Sequence, residues 1–287
     1  MTTSRYGIST HLYHRETLRR DHLLEIAANG FEAVEVFATR GHFDYHDPAA
    51  VDALATWLED AGLALHSIHS PIVQGPVRGD DWGPSLSTAA RDERARTLAV
   101  AEAAAALGIA RRIPAGFLVV HLGTPSGPDQ RADDNSRDAA VRSVEEIRGL
   151  AAPLGVRVAL EVIANELSTA TALAGLIEDE LELGADVGIC LDLGHGGLSG
   201  GDPVDAIEIA SGHVTTTHIH DNFGAIDDHL VPFEGAIDWP SVLMAMQKIG
   251  YEGAFMLELR NTGTAAAVLE KARGARRRFE RLLRADG

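Results

Sequence analysis

Short apolar runs recur along the chain, each followed by a stretch that reads as a helix. Tyr6–Ser9 and Ala33–Phe37 (AVEVF) are the first two predicted strands, with a helix over Thr17–Asn29 between them, stopped by Asn29-Gly30. A helix over Val51–Ala61 leads to strand three, Leu63–His69 (LALHSIH). Pro71–Ser87, rich in Gly and Pro, is the longest break and reads as a loop or lid. An alanine-rich helix over Thr88–Leu107, closed by Gly108, precedes strand four, Phe117–Leu122 (FLVVHL). A polar loop and a helix over Arg137–Leu150 lead to strand five, Arg157–Ile163 (RVALEVI). Ser168 is the expected cap of a helix ending near Gly184, and Val187–Leu193 (VGICLDL) is strand six. Asp202-Pro203 starts the next helix with a cap and an early proline. Val214–His220 is strand seven, Asp238-Trp239-Pro240 opens a helix stopped at Gly250, and Ala254–Leu259 (AFMLEL) is strand eight before a helical remainder.

Strands alternating with helices, without an interior linker, argue for a parallel sheet. Right-handed crossovers leave a closed eight-stranded barrel or an open doubly wound sheet. The units average about 36 residues over the 287, which fits a barrel. A dinucleotide fold would want Gly-x-Gly-x-x-Gly after its first strand, where this chain has Thr10-His11-Leu12. Gly194–Gly201 lacks a P-loop lysine and reads as a flexible turn. The expected fold is therefore a single (β/α)8 TIM-barrel domain over residues 1–287.

Composition changes little: 45% apolar and 23% charged residues are ordinary for a globular protein. The one cysteine, Cys190, lies in an apolar run and reads as a core residue, which leaves no intramolecular disulfide or thiolate cluster. No charged-then-apolar leader opens the chain and no apolar run nears the roughly 20 residues of a membrane span, so a cytoplasmic protein is expected. A net charge of −17 disfavours a general nucleic-acid surface. The basic cluster Arg273–Arg278 falls near the end of the last predicted helix and reads as a solvated helix terminus.

In a barrel, the C-terminal strand ends face the site. Those ends carry His69, His121, Glu161, Asp192 with His195, His218 with His220, and Glu258. A lone histidine such as His121 is more often a hydrogen-bonded strand-end residue. Glu161 and Glu258 are harder to dismiss, because each interrupts an apolar run where an unpaired carboxylate is costly. Glu35, near the end of strand two, reads as a support behind the site or an exposed salt bridge. Thr217–His229 (THIHDNFGAIDDH) is a polar loop rich in histidine or the heart of a site: His218 and His220 project to one face, and Asp227 and His229 repeat their spacing. Taken jointly, the strand ends point to a divalent metal among Mn, Zn, Mg, Co and Fe(II), held by Glu161, Asp192, Glu258 and His218.

The sequence resembles the xylose-isomerase-like barrel superfamily, which includes sugar isomerases and epimerases and the family 2 apurinic endonucleases related to endonuclease IV. The resemblance runs over nearly the whole chain and is most specific at LEVI around Glu161, LDLGH from Leu191 to His195, THIHDN from Thr217 to Asn222 and DDHLVPFEGAIDW from Asp227 to Trp239. It implies one metal on Glu161, Asp192, His218 and Glu258 in epimerase-type members. In the nuclease branch it implies a trinuclear zinc site that also uses His69, His121, His195, Asp227 and His229, and all of these residue types are present.

The expected function is a metal-dependent isomerase or epimerase of a sugar, sugar phosphate or inosose, working by proton transfer through a metal-stabilised enediolate. Glu161 and Glu258 are the expected proton-transfer residues, and His195 and His220 the expected substrate contacts. The alternative is a multinuclear-zinc phosphoester hydrolase of the endonuclease IV type. A regulatory sugar- or metal-binding barrel is a third reading, disfavoured by the intact carboxylates on strands five and eight. The expected partner is a small polyhydroxy substrate, with no nucleic acid or membrane; a homo-oligomer is compatible. The loop after strand three offers Arg78 and Trp82 but little else to grip DNA.

Overall fold

In the computed structural model, which describes residues 6–75, 83–126, 134–179 and 186–285, eight parallel strands close into a barrel in sequence order. They are β1 (Tyr6–Ser9), β2 (Ala33–Phe37), β3 (Ala64–His69), β4 (Phe117–Val120), β5 (Arg157–Glu161), β6 (Val187–Asp192), β7 (Val214–Ile219) and β8 (Phe255–Leu257), with β8 pairing back to β1. The helices α1 (Arg20–Ala28), α2 (Pro48–Ala61), α3 (Glu93–Leu107), α4 (Arg137–Ala151), α5 (Ala170–Asp179), α6 (Leu193–Gly196), α7 (Pro203–Ile209), α8 (Trp239–Lys248) and α9 (Ala265–Ala285) intervene. No helix among the described residues is long and apolar enough to cross a membrane.

The period of two explains why the strands are apolar throughout yet deliver polar groups at their ends. Leu118, Val120, Val158, Leu160, Ile189 and Leu191 belong to the large core between barrel and helices. The alternate residues Val119, Ala159 and Cys190 form a separate small cluster on the opposite face. Two residues further along that face come His121, Glu161 and Asp192. Cys190 is thus the fully buried core residue its context predicts.

Several boundaries differ from expectation for local reasons. Helix α3 starts five residues after Thr88, because Asp92 is the cap, its carboxylate accepting from the Ala95 N–H at 2.8 Å. Gly108 does not stop it in a left-handed conformation; the chain tightens into a 3-10 turn over Gly108–Arg111. Asp47-Pro48 opens α2 three residues before Val51, the same cap-and-proline signal that opens α7. The hydroxyl at the start of α5 is that of Thr169, which accepts from Ala172 N–H; Ser168 instead donates to the Leu122 carbonyl. Gly194–Gly201 is not a loose turn: it holds most of α6 and a 3-10 turn, with the Asp192 carboxylate accepting from the His195 N–H at 2.7 Å.

The basic stretch lies within α9 rather than at its end, and part of it packs. Arg276 sits over the Tyr6 ring, donates to the Gly30 carbonyl and pairs with Glu280, while Arg278 lies 3.8 Å from the Phe233 ring centre. In the long loop after β3, Gln74 N–H donates to the Pro84 carbonyl and Leu86 N–H to the Ile72 carbonyl, closing its base. Arg78 and Trp82 lie outside the described residues.

Candidate metal centre

Glu161 ends β5, Asp192 ends β6, His218 stands near the end of β7 and Glu258 follows β8. The register sets His218 beside Asp192 on one side and Met256 on the other, so the four side chains converge. All four are buried, and one ligand atom from each lies within 4.8 Å of the others. His218 Nε2–H donates to the Glu35 carboxylate at 3.0 Å, which fixes the tautomer and leaves the Nδ1 lone pair facing inward. That nitrogen is 3.1 Å from Glu161 Oε1, 3.4 Å from Glu258 Oε2 and 3.8 Å from Asp192 Oδ2. Glu161 Oε1 and His218 Nδ1 are buried without a hydrogen-bond partner. Three buried carboxylates and an inward lone pair are unfavourable together unless a cation compensates them, and the donor set fits a divalent ion.

Two further groups of ligand-type side chains adjoin this one: His69, His121 and Glu161, and His195, His220, Asp227 and His229. The backbone dictates which nitrogen each ring offers. His69, His195 and His229 donate Nδ1–H to the carbonyls of Ser70, Val162 and Glu258 at 2.8, 3.0 and 3.0 Å. Their Nε2 atoms then meet carboxylate oxygens: Glu161 at 3.2 Å for His69, and Asp227 at 3.1 and 2.9 Å for His195 and His229. His121 Nε2 lies 3.0 Å from the same Glu161 oxygen. A lone pair facing a carboxylate at such a distance requires a proton or a cation between them. The titration directions express that need. Burial alone would lower His69, but the hydrogen bond to Glu161 and its charge raise it to about 9. Burial of His229 is outweighed in the same way by Asp227, again to about 9, and that of His195 by Asp192 and then Asp227, which lift it well above the ordinary imidazole range.

The nine residues expected as ligands of a first ion or of additional ones therefore come together. His220 is placed differently from a substrate contact: it is fully buried, its Nε2 lies 3.0 Å from Asp192 Oδ1, and it is absent from the described lining of the cavity. The reason is close packing, since a Cβ at Gly194 would overlap the His220 ring. His195 does line the cavity. Glu35 is no exposed salt bridge. It is fully buried, accepts from Ser67 Oγ at 2.8 Å and holds His218. Burial opposes its ionisation, but the charge and hydrogen bond of His218 prevail and lower it to about 2. Glu35→Gln removes a charged acceptor behind the ring, so the affinity for the divalent ion falls about 10- to 100-fold in a chelator-competition titration. An unchanged affinity would refute the support role.

Sequence reading missed His11 and His14, which reach the mouth from a 3-10 turn over Thr10–Tyr13; their rings stack at 4.6 Å, and His11 also lies 4.8 Å from the His229 ring. It also missed Asp221. This buried carboxylate accepts from the N–H groups of Asn222, Phe233 and Ile237 and from the Trp239 indole, at 2.8–3.2 Å. It ties down the loop that carries Asp227 and His229. Two non-glycine residues in that loop, His229 (φ 48°) and Phe233 (φ 76°), are left-handed, a conformation costing about 1–2 kcal/mol each. The cavity above the ligand groups measures about 340 Å³, a volume suited to a small ligand.

The chain is 43% identical over 65 residues to the uncharacterised protein y4fM of Sinorhizobium fredii, an alignment spanning 23% of this chain and only 21% of that protein. It is 27% identical over 266 residues to the uncharacterised protein MJ1311 of Methanocaldococcus jannaschii, covering 90% of this chain and 84% of the relative. Among solved structures, a D-tagatose 3-epimerase-like protein superposes with a TM-score of 0.78 at 24% identity, covering 98% of this chain and 99% of the other. A family 2 AP endonuclease from Brucella melitensis superposes at 0.68 and 19% identity, covering 93% and 97%. At these identities the likeness is one of fold. The xylose isomerase-like TIM barrel profile matches residues 23–284, and the chain belongs to that family.

Proposed function

We propose that this protein is a divalent-metal-dependent isomerase or epimerase of a small polyhydroxy aldehyde or ketone. The observation that carries the reading is the pairing of Glu161 and Glu258. They approach the same His218 nitrogen, at 3.1 and 3.4 Å, from strands on different sides of the barrel. A bound divalent ion would polarise a carbonyl and its neighbouring hydroxyl, acidifying the C–H between them. One glutamate removes that proton and the other returns it, to the opposite face in an epimerase. His195, at the cavity wall, orients a substrate oxygen. The small cavity, the net charge of −17 and the likeness to an epimerase-like protein support a small neutral or locally anchored substrate over a nucleic acid.

A second reading, phosphoester hydrolysis, is favoured by one specific observation: the His69 and Asp227 groups are complete as well. Several ions there would clamp a phosphate and supply a hydroxide. Incubation of ion-loaded protein in D2O with ketoses, aldoses and inososes, followed by proton NMR, separates the readings. Loss of the α-hydrogen signal is expected. Inertness of every such compound, together with cleavage of an abasic duplex or a simple phosphodiester, would replace the first reading by the second.

A further inference from the structure

The cavity has two electrical poles. Its floor is made of carboxylates and imidazoles, whereas Arg15 and Arg260 are the only arginine or lysine side chains among its described lining residues. Arg15 follows the turn after β1 and Arg260 follows β8, the two strands that close the barrel, so the two loops are neighbours across that seam. They are tied together by His11 Nδ1–H, which donates to the Leu259 carbonyl at 3.2 Å, while Arg260 N–H donates to the His229 carbonyl of the loop after β7 at 3.0 Å. His14 lines the same cavity. Its imidazole is lowered first by burial, and the charges of Arg15 and Arg260 lower it further.

Some exposed arginines on this acidic surface hold carboxylates, as Arg19 does Glu16, Arg20 Asp60 and Arg112 Asp52. Arg260 is exposed and forms no ion pair among the described residues. A net charge of −17 repels anions at a distance, so a substrate with an anionic end needs a local site of opposite sign. A planar guanidinium matches phosphate and carboxylate oxygens in geometry as well as charge.

We infer that Arg15 and Arg260 form an anion subsite at the cavity mouth, and that the substrate is a small polyol carbonyl compound bearing a phosphate or a carboxylate at one end. The anionic end sits at the β1–β8 seam while the reacting carbons reach Glu161 and Glu258 below. What happens at the inner end rests on the isomerase reading; the subsite itself does not.

Calorimetric titration of the ion-loaded protein with xylitol, xylitol 5-phosphate and xylonate tests this. At least one charged ligand is expected to bind about tenfold or more tightly than xylitol, the equivalent of one charge-assisted hydrogen bond. The Arg15→Ala/Arg260→Ala double variant should lose that preference and keep its affinity for xylitol. The tighter of the two charged ligands identifies phosphate or carboxylate as the anion. Equal binding of all three, or a preference that survives the double substitution, overturns the subsite. So does an abasic duplex that displaces xylitol 5-phosphate and depends on the same arginines, because they would then grip a nucleic-acid backbone. The two readings fail separately. Arginine-dependent binding without α-hydrogen exchange from any sugar keeps the subsite and refutes isomerisation, whereas exchange that is indifferent to the arginines does the reverse.

Discussion

Exchange of the substrate α-hydrogen in Glu258→Gln falls by about 10²- to 10⁴-fold, the contribution expected of a positioned acid–base group. Glutamine matches glutamate in shape, so the buried side chain keeps its packing while losing the ability to take or return a proton. It also removes one of three negative charges around His218 Nδ1, so some ion affinity is lost with it. Ion content measured alongside exchange separates the two effects: a fully loaded variant that does not exchange assigns the proton transfer to Glu258. Turnover at the wild-type rate would remove that role. Glu161→Gln is expected to be less informative, because Glu161 also meets His69 and His121, and its substitution disturbs two ligand groups at once.

The fold and most of the candidate site were legible because they follow local periodicities. Val119 and His121, Ala159 and Glu161, and Cys190 and Asp192 are spaced by two, so a run that is apolar in sequence ends in a polar group on the same face. A carboxylate closing such a run is visible without coordinates. Glu35 was only half legible. AVEVF is an ordinary strand with one charge, and nothing in it says that the charge lies behind His218, a residue 183 positions away. Strand β1 ends in Ser9, which is neither a carboxylate nor an imidazole, so the turn that carries His11 and His14 left no mark. Helix starts were misplaced wherever a nearer cap, Asp92 or Asp47, prevailed over an apparent one. Each miss is a contact between distant residues or a competition among local caps.

The largest expected effect on stability belongs to Asp221, which precedes the segment holding Asp227 and His229. In Asp221→Asn, four N–H donors converge on a side chain that keeps one oxygen and gains an NH2 group. At least two donors then lose their acceptor. At about 1–3 kcal/mol for each buried unsatisfied donor, the destabilisation is about 2–6 kcal/mol. It should be concentrated in one region. Asp221 and Leu230 exchange both backbone hydrogen bonds, a Cβ at Gly235 would collide with the Asp221 carboxylate, and Trp239 opens α8 fully buried. The carboxylate is therefore the closure of the 222–237 loop and the first turn of α8. It also holds Phe233 in its left-handed conformation through the Phe233 N–H, so the stored backbone strain helps open the loop once the bond is lost. Hydrogen exchange read by mass spectrometry should show residues 222–240 losing protection while the peptides of β5 and β6 keep theirs. The four-ligand group, which draws nothing from that loop, should still bind its ion, whereas the group containing Asp227 and His229 should not. A thermal midpoint within about a degree of wild type, with the loop still protected, would show that the indole and the three backbone donors do not depend on this carboxylate.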